Sequence, residues 1–400
     1  MSGVGSSGKV VQEQKALALS TTSEDLEKAG KRLRDGGLVA FPTETVYGLG
    51  ANALDEAAVR SIFTTKGRPL NDPLIVHVPA PDAALELLQL GNDIEPLYRY
   101  LATAFWPGPL TLVGRAHESI PLTVTAGTGM VGIRCPNHPV ARRLLEAAKV
   151  PVAAPSANRF GHVSPTSASH VLQDLGQHDI FVVDGGMVGR GDDGGGGGSA
   201  TDCSVGIEST VAKIDGVEKK IILFRRGGIS QAQLESALRQ GPFSDFSVEV
   251  RAKVVIHKEE EVGLKGVGEE APGQHLTHYA PDVPATLLKV VGKDRAADGI
   301  VVDETPTDTV WKESVVLDFG GALKSLEPKC LGYRDLSPAG DMDEAANQLF
   351  AALRWSESID GATRVFVLDI DETSNNHAHR DAVKDRLFRS ASGRSMTIFL

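Results

Sequence analysis

The chain has 400 residues, with 41 Lys and Arg against 52 Asp and Glu, giving a net charge of −11. With 41% hydrophobic and 23% charged residues it has the composition of a globular protein, not a disordered or fibrous one, and enough length for two or three domains. An acidic chain carries no overall basic field, which argues against a broad nucleic-acid coat and leaves room for a local cationic pocket.

Three cysteines, Cys135, Cys203 and Cys330, lie far apart without CxxC spacing. That excludes a zinc ribbon or disulfide scaffold and suits a reducing compartment. No apolar run approaches the roughly 18 residues that cross a membrane. The first twenty residues show neither a signal-peptide stretch nor an Arg-rich amphipathic pattern, so a cytoplasmic protein without membrane contact is expected.

Residues 1–23 read as a loose tail leading into a first strand. Gly3, Gly8 and Lys9 imitate part of a phosphate loop, but Val10 replaces the hydroxyl residue and no strand can precede them. The amphipathic EDLEKAGKRLRDGG predicts a helix, GLVAFPTETVYGLG a strand entering a turn, and residues 55–65 a second helix. Strands then alternate with helices: PLIVHV, helices over 81–104, PLTLVG, MVGIRCP, helix HPVARRLLEAAKV, strand VPVAAPSAN, a helix after Pro165, and strand DIFVVDGG. This is an α/β domain with a mixed sheet.

Residues 189–200, GRGDDGGGGGSA, have no side chains able to pack and read as an insertion. VGIESTVAKI and IILFRRGGI follow as strands, with a helix over 231–240 that ends the first domain, 24–240. Residues 241–284, with the charge run 258–261 and APGQHLTHYAPDVP, read as a linker. Residues 285–400 form a second, smaller α/β domain of Rossmann-like alternation: strands ATLLKV, GIVVD and SVVLDFG, a long helix, strand RVFVLDI and a closing helix over 378–388.

Three motifs carry possible chemistry. GLGANA mimics a dinucleotide fingerprint but lacks the acidic residue that would hold a ribose. Lys66-Gly67-Arg68-Pro69 places two cations at a helix end, suited either to capping that end or to phosphate oxygens, with Gly67 allowing close approach of a ligand. The strand ending Ala154-Pro155-Ser156-Ala157-Asn158 offers a hydroxyl and an amide at a sheet edge, while Ser164 or Thr166 could serve as a helix cap.

Together FPTETVYGLG, KGRP, NDPLIVH, FWPGPLT, VGIRCP, APSAN, GIEST and HYAP resemble the threonylcarbamoyl-AMP synthase family in its long form, from about residue 24 to the end. The resemblance implies a YrdC-like twisted mixed sheet with helices, followed by a smaller C-terminal Rossmann-like α/β domain. It implies that Lys66 and Arg68 are catalytic. ATP would meet Arg68, Asp72, Ser156, Asn158, Ser164, Arg225 and the main chain of Met130, with Tyr279 of the linker folding over the nucleotide as a lid. L-Threonine would be held by Thr45, His77, Arg134, Ser209 and the main chain of Ala154.

The implied reaction joins L-threonine, bicarbonate and ATP into threonylcarbamoyl-adenylate, releasing pyrophosphate and water. Mg2+ would arrive on the ATP phosphates, and the product would pass to the machinery making N6-threonylcarbamoyladenosine (t6A) in tRNA. No enzyme nucleophile is needed, and the sequence offers no Ser-His-Asp set, G-x-S-x-G elbow or Cys-His pair. The chain departs from the family at Asp72, where many relatives have asparagine, at Arg226, where the family has proline, and at the glycine-rich insertion. Two other readings fit parts of the pattern: a double-stranded RNA or tRNA-binding surface, at the least a weak contact, and carbamoyl transfer in hydrogenase maturation. The latter would call for an acylphosphatase unit and CxxC fingers that the chain lacks.

Overall fold

The computed structural model describes residues 14–187, 203–251, 269–272, 278–291, 304–370 and 377–400. The phosphate-loop mimic at 3–9, the glycine-rich insertion 189–200, the charge run 258–261 and the strand expected at 299–303 lie outside the described residues.

In chain order the first unit runs β1 (Leu17–Leu19), α1 (Ser23–Arg34), β2 (Leu38–Phe41), β3 (Gly48–Asn52), α2 (Glu56–Lys66), β4 (Ile75–His77), α3 (Pro81–Leu85), α4 (Glu95–Phe105), β5 (Leu110–Arg115) and β6 (Met130–Arg134). It continues α5 (Pro139–Ala148), β7 (Val152–Ala153), α6 (Ala168–Leu175), β8 (Ile180–Val183), β9 (Thr210–Asp215), β10 (Lys220–Arg225), α7 (Gln231–Gln240) and β11 (Ser247–Val250). Its eleven strands form one mixed sheet in the order β1-β8-β2-β3-β7-β4-β6-β5-β9-β10-β11. The second unit runs β12 (Ala285–Val291), α8 (Asp308–Trp311), β13 (Ser314–Asp318), β14 (Gly332–Asp335), α9 (Met342–Glu357), β15 (Arg364–Leu368), α10 (Arg380–Ser390) and β16 (Ser395–Phe399). Its sheet, β14-β13-β15-β12-β16, is parallel throughout.

The large sheet is covered on both faces because its strands alternate apolar side chains. On β2, Val39 and Phe41 join Leu26, Leu33 and Leu144 of α1 and α5, while Leu38 and Ala40 join Ala58 and Ile62 of α2. Helix α1 begins where the Thr22 side chain accepts from the Asp25 N–H at 3.3 Å, and carries acids in its first turn and bases in its last, as its dipole favours.

Three of the four sheet edges, β11, β14 and β16, differ from the sequence expectations. β1 is the first strand into which the N-terminal tail leads and pairs parallel with β8; β11 falls inside the expected linker and pairs parallel with β10. β14 and β16 were not expected as strands. Edge strands such as SVEV and GYRD are only partly covered and carry no continuous apolar run. The expected strand 150–158 contracts to two residues, leaving APSAN as a loop.

The two units share a packed seam. Val46, Val163 and Ile207 join the apolar cluster of the second unit. Gly206, at φ +74°, lies so close to α9 that a Cβ would stand 2.4 Å from the Asn347 Cα. Beside it, the Asp174 carboxylate receives Arg354 Nη2 at 2.9 Å and His162 Nδ1–H at 2.8 Å, and the other face of His162 donates to Glu357 Oε1 at 2.8 Å.

Burial alone would lower the His162 pKa, but the hydrogen bonds to Asp174 and Glu357 outweigh it and raise the value above 6.5. The protonated ring therefore stabilises the seam fully below its unfolded pKa, and that contribution disappears as pH rises through the raised folded value. Replacing His162 by Gln should cost about 1.5–3 kcal/mol at pH 6, as loss of a charged hydrogen bond does, with the deficit shrinking at alkaline pH. Urea titrations of both proteins from pH 6 to 9 check this; a deficit that grows with pH would refute it.

Candidate functional site

Four central strands converge on one cavity. β4 pairs parallel with β6 so that His77 lies in register with Arg134, while β7 pairs antiparallel with both β3 and β4. Thr43 shapes the turn between β2 and β3: its hydroxyl donates to the Val46 carbonyl at 2.7 Å and accepts from the Thr45 N–H at 3.3 Å. This turn aims the Thr45 hydroxyl at Arg134, whose Nη1 donates to it at 2.8 Å. Arg134 Nη2 stands 2.6 Å from Glu44 Oε2, and both side chains are buried.

His77 is held neutral at physiological pH. Burial, and then the Arg134 cation, push its pKa down to about 3. Phe41 meets its ring edge-on, with centroids 6.2 Å apart. A ring so hard to protonate can contact a ligand but is a poor proton acceptor near pH 7.

Arg68, Ser156 and Arg225 line the same cavity, and Arg68 and Arg225 both act on His278. Arg68 follows α2, which ends at Gly67 with φ +65°, its N–H directed to the Phe63 and Thr64 carbonyls. The positive φ of Gly67 is what the helix end requires, and open space lies where its Cβ would stand. The Arg68 guanidinium pairs with Asp72 at 2.7 Å and donates to the Pro73 carbonyl at 2.9 Å. Arg225 donates to the Ser209 carbonyl at 3.0 Å and to its hydroxyl at 3.1 Å. Burial lowers the Arg225 pKa.

About 580 Å³ of space, part of it open to solvent, lies among these groups. Of the expected site residues, Thr45, Arg68, His77, Arg134, Ala154, Ser156, Ser209 and Arg225 line it. The Ala154 N–H is engaged with the Ile75 carbonyl at 2.9 Å.

Six expected residues stand behind the wall. Lys66 is turned inward, its ammonium 2.5 Å from the carbonyls of both Ser156 and Asn158. Burial, then the nearby Arg68, lower its pKa, and its donors are spent on two carbonyls instead of facing the cavity. Asp72, fully buried, is the counter-ion of Arg68 and does not face the cavity, which answers how an acid can stand beside an anion site. Asn158 spends its amide on the Arg159 and His162 carbonyls at 2.7 and 2.9 Å. Met130 packs beside Ile75 and Phe224. Ser164 donates to Glu208 at 2.7 Å, and the cap of α6 is Ser167, not Ser164 or Thr166.

Tyr279 is fully buried against Phe350 of the second unit, with ring centroids 5.2 Å apart, and its neighbour His278 faces the cavity instead. Tyr279 sits at φ +62°, uncommon for a residue with a side chain. His278 is kept neutral by burial and by Arg389, Arg68, Arg225 and Lys66. Thr43, Glu208 and Pro272 also line the cavity and were not anticipated; Thr43, Glu208 and His278 lie within PTET, GIEST and HYAP, so their motifs marked the place without marking the residue.

Residues 31–194 match the family described as telomere recombination, and residues 229–392 the family described as threonylcarbamoyl-AMP synthase, C-terminal domain. The threonylcarbamoyl-AMP synthase of Pyrococcus abyssi is 37% identical over 329 residues, covering 80% of this chain and 82% of the relative. The protein of the same name from Schizosaccharomyces pombe is 32% identical over 397 residues, covering 93% and 90%. The solved structure of P. abyssi Sua5 complexed with L-threonine superposes with a TM-score of 0.71 at 31% identity, over 96% of this chain and 99% of that one.

The buried Arg68–Asp72 pair predicts a large loss when one partner is removed. Asp72→Ala should destabilise the fold by about 3–5 kcal/mol, because it leaves a buried guanidinium uncompensated. Equilibrium urea unfolding measures it, and a change below about 1 kcal/mol, the level of an exposed pair, would contradict the assignment.

Proposed function

The chain belongs to the threonylcarbamoyl-AMP synthase family, and from that premise we propose how its cavity joins L-threonine, bicarbonate and ATP in the pathway to tRNA t6A. L-Threonine is the substrate of the Arg134 end. Its carboxylate meets the Arg134 guanidinium, shared with Glu44, and Thr45 and neutral His77 offer polar contacts beside it. ATP extends toward Arg68 and Arg225, two guanidinium groups suited to phosphate oxygens.

The threonine amine attacks the carbonyl carbon of bicarbonate, forming the N–C bond of a carbamate and releasing water. A carbamate oxygen then attacks the α-phosphorus, and the bond from that phosphorus to the β-phosphate bridging oxygen breaks. Its electron pair leaves with pyrophosphate, making the enzyme a nucleotidyltransferase. The protein's part is to hold two reactants in line and stabilise the charge that develops on phosphate oxygens. Arg68 is the strongest candidate for that stabilisation; Lys66 acts on it indirectly, by fixing the Ser156–Asn158 loop.

Glu208 is the one carboxylate among the described lining residues, and it is already engaged by Ser164 and Arg386. The described residues thus provide no carboxylate cage for a divalent ion, and magnesium would come with ATP as part of the substrate. The product passes to a transferase that acts on tRNA.

The observation that carries this reading is that Arg134, bonded to Thr45 at 2.8 Å, lines one cavity together with the guanidinium groups of Arg68 and Arg225. With purified protein, pyrophosphate release from ATP should require threonine and bicarbonate together, and label from 13C-bicarbonate should enter the adenylate. Arg68→Ala should lower turnover by about 100-fold. Threonine-independent release, or unlabelled product, would overturn the proposal.

A further inference from the structure

One carboxylate lines a cavity otherwise suited to anions, and its partner comes from the other unit. Arg386 of α10 is fully buried and sends Nε to Glu208 Oε2 at 3.1 Å. The other oxygen, Oε1, accepts from the Ser164 hydroxyl at 2.7 Å. The same guanidinium donates through Nη1 to the Arg226 carbonyl at 2.5 Å and lies 5.7 Å from the Tyr279 ring centroid. One side chain therefore joins the segment carrying Glu208 and Ser209, the strand end carrying Arg225, and the residue after His278.

We propose that Arg386 is a positioning residue for the nucleotide end of the cavity: it neutralises Glu208, aims it at Ser164, and fixes the strand end that carries Arg225. This rests on the proposed reading of that end as the ATP site. A carboxylate facing bound phosphates without a counter-ion would repel them, and burial would magnify the repulsion. With Arg386 in place, Glu208 is held by a cation and a hydroxyl, and Arg225 keeps its two bonds to Ser209. The threonine end has its own pair, Arg134 with Glu44, and makes no contact with Arg386 in this network. The second unit thereby contributes to nucleotide binding without lining the cavity through Arg386 itself.

The consequence is a split between substrates that a general loss of stability would not produce. In the full chain, calorimetry with α,β-methylene-ATP and, separately, with L-threonine reads the two ends. Arg386→Met should weaken the nucleotide analogue by about tenfold or more, a change of about 1.4 kcal/mol or more, and weaken threonine by less, since the network reaches the threonine residues through Ser209 and not through Arg134. Adding Glu208→Gln to Arg386→Met removes the uncompensated charge and should restore much of the nucleotide affinity, since deleting both partners of a buried pair costs less than deleting one. Arg386→Lys, which keeps the charge, should fall between wild type and Arg386→Met.

If Arg386→Met does not fold, the double variant and Arg386→Lys still carry the comparison. Equal loss of both ligands, unchanged nucleotide affinity in whichever of Arg386→Met and Arg386→Lys folds, or a double variant that binds nucleotide no better than the weaker single variant would overturn the role of Arg386. Wild-type protein that fails to bind the nucleotide analogue would overturn the reading of the site itself, and this inference with it.

Discussion

A charge withdrawn from water must be answered inside the fold, and among the described residues four of the six buried arginines are answered by four carboxylates. Arg68 pairs with Asp72 at 2.7 Å, Arg134 with Glu44 at 2.6 Å, Arg354 with Asp174 at 2.9 Å and Arg386 with Glu208 at 3.1 Å. Such pairs do little for net stability compared with apolar packing, but each fixes a direction, because a guanidinium fork and a carboxylate meet in few geometries. Two of them hold cations that line the cavity. The other two cross the seam between the units. The site is thus a set of preoriented cations whose counter-ions stand mostly behind the wall.

That arrangement explains how a chain with a net charge of −11 can line a cavity with three guanidinium groups. Local placement decides, not the average. It also assigns the second unit more than a spacer's part. Arg354 and Glu357 on α9 meet Asp174 and His162, and Arg386 on α10 meets Glu208, so an element far from the cavity in sequence holds one of its lining segments. The chain between the units contributes Pro272 and His278 to the cavity while Tyr279 anchors it on Phe350.

Much of this was legible in the sequence, and the exceptions have physical causes. Buried strands such as LVAF and RVFVL announce themselves by their apolar content, whereas SVEV and GYRD sit at sheet edges, where no such content is required. Motifs located the site because PTET, KGRP, APSAN and GIEST all reach the cavity. They did not settle which way each side chain points. Lys66 and Arg68 are two residues apart, yet the helix end turns one toward the Ser156 and Asn158 carbonyls and the other to the cavity. Nor could pairing across 178 residues, from Glu208 to Arg386, be read from local pattern.

The central claim is that preoriented guanidinium groups lining one cavity receive the two substrates. A crystal structure of the full chain with L-threonine and α,β-methylene-ATP tests it most directly. The account predicts the threonine carboxylate within hydrogen-bonding distance of Arg134 and the triphosphate against Arg68 and Arg225. Threonine bound away from Arg134, or a triphosphate that touches neither Arg68 nor Arg225, would contradict it.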